Sequence, residues 1–110
     1  MQKSYTNRGF GLIEFTDSYG EKCSIQESSS ASDCAIWLGI NEANPIVMAS
    51  QALEVGISTH AKVGWIPYPI PSQVLLSTRM HLTRKQVKEL LPILKHFLKT
   101  GGLDISDSKL

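Results

Sequence analysis

This chain of 110 residues has two cysteines, three histidines and seven per cent aromatic residues, and no long apolar run. Each shortage excludes something. No segment approaches the roughly 20 apolar residues needed to cross a bilayer. The start, Met1 to Arg8, is polar and runs into a strand-like segment, so no signal peptide is expected and the compartment expected is the cytoplasm. Cys23 and Cys34 flank a serine-rich connection. A hairpin could bring them close enough to bridge, but two half-buried thiols are expected in a reducing compartment. No His or Cys partner stands at finger spacing, and three scattered histidines without carboxylate spacing make no metal site. No cofactor is expected.

The apolar content of 42% is that of an ordinary globular domain. The length fits a single domain over residues 1–102, with 103–110 as a flexible tail. A net charge of +1 hides an asymmetry. Residues 1–60 carry three cationic and seven acidic side chains, a balance of −4, whereas residues 79–100 carry six cationic side chains against Glu89, a balance of +5. A lysine-rich helix face is often only solvated surface. A local excess of this size also suits an anionic partner.

The strongest signal lies near the end. Leu82-Thr83-Arg84-Lys85-Gln86-Val87 reads as a complete helix start: Thr83 caps the N–H of Gln86, Gln86 reaches back to Thr83, and Leu82 with Val87 forms a hydrophobic staple. Apolar residues then recur at Val87, Leu90, Leu91, Leu94, Phe97 and Leu98, which predicts one buried face. Lys95, His96 and Lys99 suit the negative end of the helix dipole, and Gly101 suits a left-handed C′ position. Pro92 interrupts this pattern and costs on the order of 3 kcal/mol unless the helix bends there.

Upstream, strands are predicted at residues 10–16, 22–26, 34–40 and 74–80, the second alternating cleanly. Residues 46–48 and 63–66 read as short strands, and 49–59 as one helical turn or irregular chain. The run Pro67-Tyr68-Pro69-Ile70-Pro71 is extended and unsuited to a sheet interior; it could wrap a neighbouring subunit. The fold class expected is α+β: an antiparallel sheet of four to five strands with one long C-terminal helix packed on one face.

Strand alternation also proposes a site. Ser77, Arg79 and His81 share one face of the last strand, as do Ser24 and Gln26 on the second. If those faces coincide, Gln26, Ser28, Ser29, Arg79 and His81 gather beside Trp37. Arginine forks onto phosphate, Gln and Ser read a base or ribose edge, and Trp stacks. The bland alternative is a solvated sheet face with Arg79 paired to Glu14 or Glu27. No catalytic residue is assigned. His81-Leu82-Thr83 is the half-motif that 2H phosphoesterases use twice, but His60 and His96 lack the following threonine. A Ser–His–acid triad drawn from Ser28 to Ser30 and His81 lacks a nucleophile elbow. Sequence-specific DNA binding is disfavoured, because Pro92 interrupts the one long helix.

The pattern Arg8-Gly9-Phe10, Asp17 to Gly20, Cys23 to Ser29, Ala35 to Gly39, Met80 to Thr83 and Leu90-Leu91-Pro92 resembles a family of small proteins encoded by tailed phages and prophages. The resemblance spans most of the chain outside residues 41–73. It implies a bacterial host cytoplasm and brings no established activity. Small phage proteins of this size often act in counter-defence, some by sequestering nucleotide signals. The resemblance therefore favours a binding role, and the reading taken is a non-enzymatic module that binds a phosphorylated small molecule or nucleotide; a homo-oligomer is expected because one thin sheet rarely makes a deep pocket alone. The alternative is a protein-directed inhibitor that docks its basic helix on an acidic host protein.

Overall fold

A computed structural model describes residues 1–29 and 34–106. Residues 30–33 of the serine-rich connection and 107–110 of the expected tail lie outside the described residues. The chain forms β1 (Gln2–Tyr5), β2 (Gly11–Thr16), β3 (Lys22–Glu27), β4 (Ala35–Ile40), β5 (Ile46–Met48), a 3-10 helix (Ala49–Val55), β6 (Trp65–Pro67), β7 (Arg79–Thr83) and α1 (Arg84–Thr100). Five strands make one antiparallel sheet in the order β1-β2-β3-β4-β7, and β5 with β6 makes a separate two-stranded ladder. The α+β class, the five-stranded sheet and the C-terminal helix match the sequence expectation.

Local chemistry sets the hairpins. At the β2–β3 turn Asp17 Oδ1 accepts from the N–H groups of Tyr19 and Glu21, at 2.8 and 2.9 Å. Such an Asx arrangement satisfies donors that the ladder leaves free. The β3–β4 pairing runs one step further through Ser28 N–H to the Ala35 carbonyl. Between β4 and β7, Thr78 Oγ1 donates to the Ile40 carbonyl at 2.7 Å and closes the end of the ladder.

Directly paired residues share a face of the sheet. The register aligns Ile13, Ile25, Leu38 and Met80 in one cross-strand row, and Phe15, Cys23 and Ile40 in another. Together they form the apolar face. The opposite face carries the rows Glu14, Ser24, Gly39, Arg79 and Leu12, Gln26, Trp37, His81. One sheet thus separates its chemistry into an oily side and a polar side.

Four expectations need correction. The last strand is Arg79–Thr83, not residues 74–80. All five of its residues pair with Ala35 to Gly39, so the apolar Val74, Leu75 and Leu76 have no strand partner and lie exposed. The polar Gln2–Tyr5 segment, not expected as a strand, is the sheet edge beside β2. Both thiols are free, as expected, but neither is half-buried: Cys23, opposite Ile40, is buried and Cys34 is exposed. Burial pushes the Cys23 thiol up, with the charge of Asp17 a smaller contributor.

The fourth correction concerns α1. Its capping box forms as expected, with Thr83 Oγ1 accepting from Gln86 N–H at 3.3 Å and Gln86 Oε1 accepting from Thr83 N–H at 3.0 Å. Gly101 closes the other end at φ +79°, and the helix runs unbroken through Pro92. Yet no residue of α1 is buried: Phe97 is 54% exposed and Leu98 86%. Because β7 ends at Thr83 and α1 begins at Arg84, no linker exists to fold the helix back over the sheet. Among the described residues only Cys23, Ser24, Ala49 and Ala52 are buried.

Candidate functional site

Arg79 is the centre of the polar face. Its neighbour across the ladder is Gly39, and the arginine side chain reaches past β4 to β3. A Cβ at Gly39 would stand 2.9 Å from the Thr78 carbonyl oxygen and 3.0 Å from Arg79 Cα, and its φ of +151° further favours glycine. Stretched across that gap, one terminal guanidinium nitrogen donates to Gln26 Oε1 at 2.9 Å and to Ser24 Oγ at 3.3 Å. Ser24, only 3% exposed, donates onward to Asn41 Oδ1 at 2.7 Å. The guanidinium carbon lies 5.8 Å from the Trp37 ring centroid.

His81 lies two residues along β7, opposite Trp37. The two rings are 4.3 Å apart between centroids and tilted by 42°. His81 Nε2 is within 2.9 Å of Ser28 Oγ. Arg79, Gln26, Trp37, His81 and Ser28 therefore meet as the alternation of the sequence predicts. Ser29 lies close by, lining a cavity of about 320 Å³ with Gln26 and Trp37.

The alternative pairing of Arg79 with Glu14 or Glu27 does not form. Glu27 instead accepts from the Gly11 N–H. Among the described residues no carboxylate pairs with Arg79, whose hydrogen-bond partners are the neutral Gln26 and Ser24. A half-buried guanidinium held by neutral acceptors keeps its charge for an incoming anion.

The rest of that cavity comes from residues the sequence reasoning did not assign to the site: Thr6, Asn7, Arg8 and Phe10. They belong to the β1–β2 turn. Gly9 adopts φ +86° there, its N–H donates to the Thr6 carbonyl at 2.9 Å, and Phe10 N–H donates to Thr6 Oγ1 at 3.1 Å. The turn sets the Arg8 guanidinium 5.5 Å from the Phe10 ring centroid. Asn7-Arg8-Gly9 was a readable turn signal, but a turn of that kind does not reveal which sheet face it caps. The volume is near the small end of the range for small-molecule sites.

The Thr83 hydroxyl is engaged as the helix cap, and His81 rests on Ser28 and Trp37. Among the described residues no three His, Cys, Asp or Glu side chains converge as a metal site would require, and no helix is long and apolar enough to cross a membrane. Comparison with protein-family models, with curated proteins and with solved structures returned no match.

Proposed function

We propose that this chain is a non-enzymatic binding module of phage or prophage origin, acting in the bacterial cytoplasm as a counter-defence protein. On this reading it sequesters a phosphorylated small molecule or nucleotide signal, and it works as a homo-oligomer. One observation carries the reading. Arg79 is laid across Gly39, fixed by Gln26 and Ser24 over Trp37, with no carboxylate partner among the described residues. A fork so fixed meets phosphate oxygens with little ordering cost. Gln26, Ser28 and Ser29 are neutral groups that can tell one nucleotide from another, Trp37 offers a ring face, and Arg8 supplies a cation to the adjoining cavity that Gln26, Ser29 and Trp37 line.

A second reading rests on α1. Its Lys85, Lys88, Lys95 and Lys99 are all exposed, and the helix projects with no buried residue, so it could dock on an acidic host protein. Titration calorimetry against a panel of mono- and dinucleotides separates the two. Arg79→Ala should abolish binding, whereas Lys85→Ala with Lys88→Ala should leave it nearly unchanged. If instead no nucleotide binds, host inhibition needs the lysine pair and Arg79 is dispensable, the protein-docking reading replaces the first. Native mass spectrometry of protein purified from infected, defence-positive cells reports a retained ligand and the subunit count together.

A further inference from the structure

We propose that two copies of this chain pair by laying the apolar stripe of each α1 on the apolar sheet face of the other. The chain exposes 9509 Å², whereas a compact monomer of 12.1 kDa exposes about 6,000 Å². Its radius of gyration is 18.9 Å, against about 13 Å for a compact domain of this length. The excess area is several times the roughly 800 Å² that a standard interface takes from each partner. A folded chain with so much uncovered surface is one part of a larger assembly.

The uncovered surface is of two matching kinds. Leu91, Leu94, Phe97 and Leu98 lie on one side of α1, each 46% exposed or more. On the oily side of the sheet, Tyr5, Ile13, Ile25 and Ile36 line a cavity of about 640 Å³, with the charged Lys3 and Glu27 beside them. The helix cannot fill its own sheet's cavity. It leaves β7 with no intervening residue, and β7 stands at the opposite edge of the sheet from β1. Seventeen residues make a rod of about 25 Å, long enough to reach across a neighbouring sheet. Charge favours the same pairing: α1 carries +4 and residues 1–60, which hold four of the five sheet strands, carry −4, so head-to-head copies bring opposite signs together. The exchange is isologous and closes at two chains.

The inference deepens the proposed self-association and does not depend on which ligand the polar face takes. Its test uses the full chain in a Cys34→Ser background. Light scattering at tens of micromolar should give twice the chain mass, and Leu94→Asp with Leu98→Asp should give the single-chain mass with the sheet's circular dichroism retained. Oxidation of Ile25→Cys with Leu94→Cys should yield a covalent two-chain species. A wild-type monomer overturns both the self-association and this pairing. An oligomer that survives the double Asp substitution, or a 25–94 disulfide formed within one chain, overturns the pairing alone and leaves self-association standing.

Discussion

Gly39→Ala is the sharpest test of how the polar face is built. The added Cβ meets two backbone atoms, the Thr78 oxygen at 2.9 Å and Arg79 Cα at 3.0 Å, so relief requires β7 itself to move. The backbone at φ +151° adds a conformational cost. Unfavourable backbone and overpacking together come to about 2–4 kcal/mol. For a domain of this size each kcal/mol lowers the melting temperature by roughly 4–8 °C. The control is Gly20→Ala, where φ is +86° but nothing lies within 4 Å of the new carbon. There only the left-handed backbone counts, about 1–2 kcal/mol. Thermal unfolding followed by circular dichroism should therefore rank Gly39→Ala well below Gly20→Ala, both at one protein concentration because association shifts the midpoint. Nucleotide binding should fall with Gly39→Ala and not with Gly20→Ala. Equal melting temperatures for the two variants would refute the claim that the close approach of β7 depends on the gap at Gly39.

Two further outcomes follow from the same geometry. Thr83→Ala removes the cap of α1 and should cost about 1 kcal/mol of helix stability, read as lost ellipticity at the helix band, while nucleotide affinity stays within twofold; lost affinity with unchanged helicity would make Thr83 a binding residue. In the native protein Cys34 should react with a thiol reagent at mildly alkaline pH while Cys23, buried and with its pKa raised, stays protected until the chain unfolds; equal rates would show that β3 is open at Cys23.

Much of this arrangement is readable from residue order. Thr83 and Gln86 specify the helix start through side-chain chemistry that operates within four residues, and the structure forms both bonds. The alternation of β3 and of Arg79 to Thr83 assigns Gln26, Arg79 and His81 to one face, because a period of two needs only correct pairing to be realised. Boundaries were harder. Val74-Leu75-Leu76 has strand composition, but β4 is six residues long and already paired by Arg79 to Thr83, so composition had no ladder to join. Gln2–Tyr5 lacks strand composition and becomes a strand anyway, because β2 offers it an open edge. The apolar spacing of α1 announced a face that wants burial. It could not say what buries it. Arg8 and Trp37 line one cavity only because the strands between them lie in register.

The junction at Thr83 has one more consequence. This residue ends β7 and caps α1, so the strand's two-residue alternation and the helix's rotation meet with nothing between them to absorb an error. Delete Leu82, and one of two things must happen. Either Arg79 and His81 swing to the oily side of the sheet, or the helix turns by about 100° and presents lysines where Leu94 and Leu98 had been. The polar face and the apolar stripe are geared to each other through a single residue. A substitution along this stretch disturbs one surface, as Arg79→Ala does the polar face, whereas a change of length should disturb both surfaces at once.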